Sequence, residues 1–381
     1  MKKDRLSNFE GTMIIAGSGI GTGILTLPYA INKIGFLGTI TALIIAYLVS
    51  ICLYLMICEM TRNSKNSKEL LGILNEHLFY GKYGKVLSII FFIVLILMII
   101  QNLIIYILCA SELITNLFSI DMIYSKILFY ILSSIVILFG IKGISNGEKV
   151  SVSLISIVIM VLSIISLFNI KRGINLFFGD LKIVLAVYGL FMFAFSSIFS
   201  VIQVTNYLKD KKDIKKVAIA GLSINALLTI AFAIITIIGS KEVTTIATIG
   251  LAETINNQII KILCSIFVLS AMFSSYWTSG LAFTDIVETQ LKTNRKIAWI
   301  ISTIPTIIIT LLLPMSILDF IQIGAGALSI ILVLVIIPSY YHAVKNEKKP
   351  LLGNIAKSKL FLALMTFFTI VMAISSLIQI D

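Results

Sequence analysis

The most unusual backbone chemistry in this chain is expected near its start, where Gly17-Ser18-Gly19-Ile20-Gly21-Thr22-Gly23 precedes Pro28 inside an apolar stretch. Each glycine lowers helix stability by about 1 kcal/mol relative to alanine. The cluster predicts a helix that breaks in mid-membrane, where freed backbone groups need protein, a cavity or a ligand as partner. The N–H groups that open a half-helix favour an anion such as a carboxylate. The alternative is close helix packing through glycines four residues apart.

A second and weaker break is expected in the sixth apolar segment, where Gly189 precedes Phe193-Ala194-Phe195-Ser196-Ser197. In transporters built from two inverted repeats of five helices, the broken helices occupy corresponding positions, the first and the sixth. The alternative is that Ser196 and Ser197 bond back to carbonyls of their own helix.

Polar residues also mark the third apolar segment, where Gln101, Asn102 and Tyr106 fall on one side at helical spacing. They could line a pocket or cover it, or they could hydrogen-bond between helices. The segments carry almost no ionisable residue at mid-depth, where such a residue would be a functional candidate. No P-loop, catalytic triad or metal motif is visible, so we expect neither an enzyme nor a bound cofactor.

The elements that must position these residues are membrane helices. The chain has 381 residues, of which 59% are hydrophobic and 13% charged, with a mean hydropathy of +1.06, whereas soluble domains are about 25% charged. The net charge of +12 comes from short basic clusters between apolar runs, which is typical of orientation signals and not of nucleic-acid binding. We therefore predict an all-α integral membrane protein whose partner is the lipid bilayer.

About eleven transmembrane helices are expected, since about 20 helical residues cross the hydrocarbon. They form one transmembrane domain over 1–381, with a short interfacial helix near 67–78 in the longest loop. The apolar segments run over 9–30, 36–58, 86–111, 126–141, 150–168, 181–205, 217–239, 259–287, 297–313, 317–341 and 359–379.

The distribution of basic residues predicts the topology. Most of the 30 Lys and Arg residues lie in alternate loops, on the side of the N-terminus. Because cytoplasmic loops are enriched in Lys and Arg, the N-terminus is predicted to be cytoplasmic in the cell membrane. Eleven crossings then place the C-terminus outside.

A family resemblance starts from the same motifs. The stretch Gly19-Ile20-Gly21-Thr22-Gly23-Ile24-Leu25-Thr26-Leu27-Pro28-Tyr29-Ala30, with Gly35-Phe36 and a second helix ending at Glu59, resembles the opening of the amino acid/auxin permease family, within the amino acid-polyamine-organocation superfamily. The sixth helix, from Phe193-Ala194-Phe195 through Gln203 to Tyr207-Leu208-Lys209-Asp210, is similar as well. These motifs cover about a tenth of the chain, and helix number and order extend the likeness to nearly all of it.

The resemblance implies a LeuT-type fold, with a five-helix repeat over 9–170, its inverted copy over 181–341 and an extra C-terminal helix over 359–379. It implies that the substrate lies between the broken first and sixth helices, with its carboxylate at the amides of Gly21, Thr22 and Gly23. The other candidate substrate-binding residues are Gly19, Gln101, Asn102, Tyr106, Phe193, Ala194, Phe195, Ser196 and Ser197.

A coupling-ion site is also implied. In sodium-coupled members the first and eighth helices coordinate the ion, which maps here onto carbonyls of Ala16 and Gly19 with Ala271, Ser274 and Ser275. Serines that serve helix packing are the alternative. Some proton-coupled relatives use a buried lysine in the fifth helix instead; here that segment has only Lys149, at its inner start, which favours sodium over protons.

The function expected from the sequence is secondary active transport of a small amino acid by alternating access, coupled to Na⁺ or H⁺. Phe193 and Phe195 suggest an uncharged side chain, because no buried acid or base would pair a charged one. The alternative on the same fold is a sensing subunit of the germinant-receptor type, which binds an amino acid without net transport.

Overall fold

The fold is described by a computed structural model that covers residues 5–21, 23–65, 69–173, 175–244, 246–312, 335–375, 378 and 380. Almost every described residue is in a helix or a short connection, and the only β-pairing among them is an isolated bridge between Leu6 and Leu208. The all-helical prediction is confirmed.

The first two predicted crossings form α1 (Asn8–Gly19) and α2 (Gly23–Asn63). A capping box between Ser7 and Glu10 opens α1, because each side chain satisfies a free backbone donor of the other residue. The non-helical backbone of Gly35, with φ 67° and ψ −179°, divides α2 into the end of the first crossing and the whole of the second. This left-handed φ favours glycine, which has no β-carbon to clash.

The next three crossings are α4 (Gly84–Phe118), α5 (Met122–Leu138) and α6 (Gly140–Phe168). Before them lies the short helix α3 (Leu70–His77), where the interfacial helix was expected; its apolar side chains are buried against the bundle. The expected start of the fifth helix at 150 is wrong, because α6 begins ten residues earlier. The polar residues that ended the apolar pattern there belong to the helix.

The second half of the chain begins with α7 (Leu181–Ala194) and α8 (Ile198–Tyr207), which together form the sixth crossing. The remaining helices are α9 (Ile214–Gly239), α10 (Ala247–Ile255), α11 (Gln258–Gln290), α12 (Arg295–Leu312), α13 (Ile337–Val344) and α14 (Lys359–Ser375). Most of the tenth predicted crossing, 317–341, lies outside the described residues; α13 holds its end.

The packing fits a membrane. Within the described residues, seven helical stretches are long and apolar enough to span a bilayer, and two shorter apolar helices accompany them. Large apolar side chains such as Leu97, Phe168 and Leu312 are more than 60% exposed on the outside of the bundle, as a lipid-facing surface requires. The bundle centre is formed by α1 against α6, α9 and α11, and by α2 against α7 and α8.

Candidate functional site

The first helix is broken between α1 and α2, as the glycine cluster predicts. α1 ends at Gly19, Ile20 leaves the helical conformation, and its N–H donates to the carbonyl of Gly17 at 2.9 Å. The N–H of Gly21 donates to the carbonyl of Gly19 at 3.0 Å before α2 begins at Gly23. The backbone of the first break therefore forms short local turns. The helix that begins after it has first N–H groups without a partner inside that helix.

The sixth helix is broken at Phe195–Ser197, between α7 and α8. Three hydrogen bonds join this second break to other helices. The hydroxyl of Tyr54 donates to the carbonyl of Phe195 at 2.6 Å, and the amide of Asn225 donates to the carbonyl of Ala194 at 3.0 Å. The hydroxyl of Ser197 donates to the carbonyl of Ile15 in α1 at 3.3 Å, so Ser197 does not bond back to its own helix.

The two breaks touch each other. A β-carbon placed on Gly19 would overlap the amide nitrogen of Asn225 and lie 3.0 Å from the carbonyl oxygen of Ala194. A β-carbon on Gly23 would lie 3.0 Å from the ring of Phe193. A side chain at either position would displace a neighbouring group, so glycine favours the close approach of the two broken helices.

Between the breaks lies a cavity of about 70 Å³, which we call the central cavity. Its wall combines hydroxyl and amide side chains with apolar and aromatic ones, and none of its described residues is charged. The described residues that line it are Ser18, Gly19, Gly21, Gly23, Met98, Asn102, Tyr106, Phe193, Ala194, Ser196, Ser197, Ile198, Phe199, Ser200, Thr278 and Ser279.

Most of the candidate substrate-binding residues meet at this cavity. Gln101 and Phe195 do not line it among the described residues; the ring of Phe195 stacks on Phe191 behind the second break, with ring centroids 5.8 Å apart. Thr22 lies outside the described residues. The lining residues that sequence reasoning did not name are Ser18, Met98, Ile198, Phe199, Ser200, Thr278 and Ser279.

The candidate ion-binding residues lie beside the cavity, where α1 packs against α11. Ala16, Ala271, Ser274 and Ser275 are all buried there. A β-carbon on Gly21 would lie 3.0 Å from the hydroxyl oxygen of Ser275. Ser274 and Ser275 of α11 therefore face α1, whereas a β-carbon on Gly19 would meet Asn225, Ala194 and Ser197 instead.

Glu148 of α6 enters the same space, and sequence reasoning missed it. Its side chain is fully buried, and Oε2 accepts a hydrogen bond of 2.6 Å from Ser274. The expectation that the apolar segments hold almost no buried ionisable residue is wrong here, because the adjacent polar residues placed Glu148 outside the predicted fifth helix. A usable signal was present: Ile141, Ile144, Glu148 and Ile155 share one buried face at helical spacing.

Below the cavity, on the predicted cytoplasmic side, Glu69 closes a small pocket with Phe199 and Gln203 of α8. It caps α3 by accepting from the N–H groups of Leu71 and Gly72 at 2.7 Å, and it accepts from Gln290 of α11 at 2.8 Å. Burial raises the pKa of Glu69 to about 7, against the lowering effect of these hydrogen bonds. Glu69 thus joins the start of α3 to the inner end of α11, and it faces α8 across this small pocket.

The inner end of α1 is also held in place. Glu10 pairs with Lys142 at 3.1 Å and with Lys149 at 3.4 Å, which ties α1 to α6. The Leu6 N–H donates to the carbonyl of Tyr207 at 2.8 Å, which ties the start of the chain to the end of α8. The two broken helices are therefore linked at the break and again at the predicted cytoplasmic surface.

Comparisons with known proteins agree with this architecture. The family model described as "Tryptophan/tyrosine permease family" matches residues 4–376. No curated protein matches the chain by sequence. The amino acid/auxin permease family suggested by the opening motif is not confirmed.

Two solved structures of transporters share the fold. MhsT in complex with L-phenylalanine has a TM-score of 0.71 at 14% identity, with 99% of this chain and all of that chain covered. Mhp1, a nucleobase-cation-symport-1 family transporter in a closed conformation with bromovinylhydantoin bound, has a TM-score of 0.67 at 12% identity, with 98% and 91% covered. The LeuT-type fold and the multi-pass membrane architecture are confirmed.

Proposed function

This chain belongs to the tryptophan/tyrosine permease family, and on that premise we propose that it is a secondary active transporter that imports a neutral amino acid with a large apolar or aromatic side chain. The family and the fold are those of membrane transporters and not of enzymes. Transport would proceed by alternating access, with the central cavity as the substrate site.

The observation that carries the proposal is the enclosure of one cavity by both helix breaks. The cavity wall includes Gly21 and Gly23 at the first break, and Ile198, Phe199 and Ser200 at the start of α8. The first N–H groups of a helix lack intrahelical partners and lie at its positive dipole end, which favours a carboxylate. An amino acid could place its carboxylate there without any Arg or Lys.

The described wall of the cavity also supports the class of side chain. Met98, Phe193 and Phe199 give it apolar and aromatic surface, and Asn102 and Tyr106 give it hydrogen-bonding groups. A charged substrate side chain would lose its hydration without a compensating charge, which costs several kcal/mol. The ring of a neutral aromatic amino acid would contact the apolar part of this wall, and its polar groups would bond to the hydrogen-bonding part.

Alternating access requires that the coupling ion and the substrate stabilise the same conformations. Na⁺ or H⁺ would bind between α1 and α11, directly beside the cavity wall. With the N-terminus in the cytoplasm and the C-terminus outside the cell membrane, the links of α1 to α6 and α8 would form the inner gate. Their opening would release substrate to the cytoplasm.

The test is uptake of labelled L-tryptophan, L-tyrosine and L-phenylalanine by the purified protein in liposomes. An inward proton gradient, an inward sodium gradient and no gradient are compared. Accumulation above equilibrium under one gradient supports the transporter. Binding without accumulation under any gradient would instead favour the sensing subunit.

A further inference from the structure

The carboxyl group of Glu148 connects three helices at one point beside the central cavity. It belongs to α6 and accepts a hydrogen bond from the hydroxyl of Ser274 in α11. It also lies directly against Gly17 in α1. A β-carbon on Gly17 would overlap Oε2 of Glu148 and would lie 2.8 Å from the hydroxyl of Ser274. The glycine at position 17 therefore makes room for this carboxyl group.

Among the described residues, only one of the two carboxyl oxygens of Glu148 has a hydrogen-bond partner. Oε1 of Glu148 is buried and has no hydrogen-bond partner among the described residues, whereas nearly all buried polar atoms in proteins have one. An ionised carboxylate without a paired charge is strongly unfavourable when it is fully removed from water. Oε1 is thus the atom at which a bound proton would remove this cost.

The charged groups of the surrounding helices are engaged elsewhere. On α6 itself, Lys142 and Lys149 pair with Glu10, the acidic residue of α1, which lies seven residues from Gly17, or roughly 10 Å along the helix. On α11, Asp285 and Glu288 pair with Arg295 of α12. At the other end of α11, Lys261 is exposed.

Within the part of the chain that the structure describes, the basic residues of α9 and α5, which also pack on α6, are engaged elsewhere. On α9 the basic residues are in the first turn: Lys215 donates to the carbonyl of Leu351 at 3.2 Å, and Lys216 pairs with Asp213 at 3.6 Å. On α5, Lys126 donates to the carbonyl of Thr310 at 2.9 Å, and Tyr130 bonds to Thr303. Within the described residues, no cation pairs with the Glu148 carboxyl group.

The position of Glu148 also links it to the substrate. Ser18 and Gly19, which line the central cavity, directly follow Gly17. The carbonyl of Gly19 already accepts a hydrogen bond from the N–H of Gly21. The hydroxyl of Ser274 already donates to the carboxyl group of Glu148. One of the groups that the resemblance implies for a sodium ion is therefore already hydrogen-bonded to a carboxyl group of the protein.

We propose that Glu148 is the proton-carrying residue that couples transport to a proton gradient, and that Ser274 and Gly17 position its carboxyl group. This proposal rests on the proposed transport function. In the outward-facing state the carboxylate takes one proton from a hydronium ion of the external solution, so an O–H bond forms and a water molecule is released. In the inward-facing state that bond breaks and the proton passes to cytoplasmic water, which restores the carboxylate.

Coupling follows from the three contacts. The neutral acid can stay buried between α1, α6 and α11, whereas the carboxylate favours a conformation in which water or another donor reaches Oε1. Protonation thus changes how closely α1 packs on α11, and α1 carries part of the cavity wall. A ligand shifts a conformational equilibrium only if it binds one state more tightly than the other. The proton meets this condition, because it binds Glu148 more tightly in the state in which the carboxyl group is buried.

The experiment compares wild type, Glu148→Gln and the matched control Glu112→Gln, whose carboxyl group is exposed on α4. Each is placed in liposomes, and labelled L-tryptophan is followed in counterflow and under an inward proton or sodium gradient. A pH-sensitive dye inside the liposomes reports proton entry on addition of substrate. Counterflow needs substrate exchange but no driving gradient.

We expect Glu148→Gln to keep counterflow and to lose both proton-driven accumulation and substrate-dependent proton entry, while Glu112→Gln behaves like wild type. Proton-driven accumulation that persists in Glu148→Gln would overturn the proposal, as would wild-type accumulation that requires sodium and not protons. If wild type shows neither counterflow nor accumulation for any aromatic amino acid, the proposed function itself fails.

If Glu148→Gln loses counterflow, a second variant that retains a carboxyl group still tests the proposal. Glu148→Asp retracts the carboxyl group by one methylene and is compared with Glu112→Asp. We expect the pH of half-maximal proton-driven uptake to shift in Glu148→Asp alone. An unshifted pH profile in that variant would overturn the assignment.

Discussion

The break between α1 and α2 holds three glycines in five residues, at 19, 21 and 23, whereas the break at Phe195–Ser197 holds none. The first break is formed by short local turns within its own backbone. The second is held by side chains from distant helices, Tyr54 of α2 and Asn225 of α9. One break is thus encoded locally and the other by tertiary contacts.

This difference separates two tasks. Glycines at the first break let the chain approach the second break, because no side chain stands between the two broken helices. The donors at the second break satisfy carbonyls that the interrupted helix has released, since an unpaired buried carbonyl costs free energy. The site is therefore expected to fail in two distinct ways, by obstruction at the first break and by loss of support at the second.

The largest effect is expected from Gly21→Leu. A β-carbon at this position would already lie 3.0 Å from the hydroxyl of Ser275 and 3.9 Å from that of Tyr106, so the rest of the leucine side chain has to enter the cavity. We expect uptake to fall on the order of 100-fold, equivalent to about 3 kcal/mol. The control is Gly173→Leu, because a β-carbon there meets nothing within 4 Å; normal uptake by inserted Gly21→Leu protein would contradict the site.

The next effect is expected from Asn225→Leu, which removes support without filling the first break. The carbonyl of Ala194 loses its donor and the hydroxyl of Thr229 loses its acceptor. An unsatisfied buried group costs about 1–3 kcal/mol, so binding of L-tryptophan should weaken by about 10-fold or more. Equilibrium binding measures the affinity for L-tryptophan, and Asn116→Leu at an exposed position is the control. An equal loss of affinity in both variants would show that Asn225 does not support the site.

A smaller effect is expected from Tyr54→Phe, which deletes one hydroxyl and keeps the ring. The carbonyl of Phe195 would lose its 2.6 Å hydrogen bond, a loss of about 1 kcal/mol. The melting temperature in detergent and the KM for uptake should both worsen, KM by about fivefold. Exposed Tyr124→Phe should change neither, and an unaltered KM in Tyr54→Phe would show that the second break does not depend on this bond.

The smallest effect on transport is expected from pH at the start of α3, where Glu69 lines a small pocket with Phe199 and Gln203 of α8. Burial raises the pKa of Glu69 from 4.5 to about 7, so the folded protein holds this proton more tightly than the unfolded chain. The resulting stability is full below about pH 4.5 and is lost as the pH rises to about 7, by at most about 1.4 kcal/mol per pH unit.

Hydrogen exchange of the α3 amides between pH 5 and 8 checks this pH dependence, after correction for the intrinsic exchange rate. Glu69→Gln should remove the slope, whereas Glu253→Gln, at an exposed position of α10, should retain it. A slope that survives in Glu69→Gln would assign the pH dependence to another group.

The same contrast explains what could be predicted from the sequence. The first break was visible because glycine and proline act on the local backbone, and helix number and order followed from apolar segment length. The second break was only suggested by Gly189 and the serine pair, because Tyr54 and Asn225 are distant in sequence from the carbonyls that they satisfy.

Glu148 shows a second limit of prediction from the sequence. Its charge ended the apolar pattern, so the predicted fifth helix began after it, at 150. Its burial depends on Gly17 and Ser274, which come from helices far apart in sequence. Periodicity within α6 would have placed Glu148 on the buried face, but only the fold shows what it contacts.

The central claim is that the two breaks bind a neutral aromatic amino acid by its carboxylate, and competition binding tests it most directly. Labelled L-tryptophan bound to the purified protein is displaced with L-phenylalanine or with its amide, which keeps the ring and the amine but lacks the carboxylate. We predict displacement by L-phenylalanine and at least about 10-fold weaker displacement by the amide. Equal displacement by both compounds would contradict carboxylate recognition at the breaks.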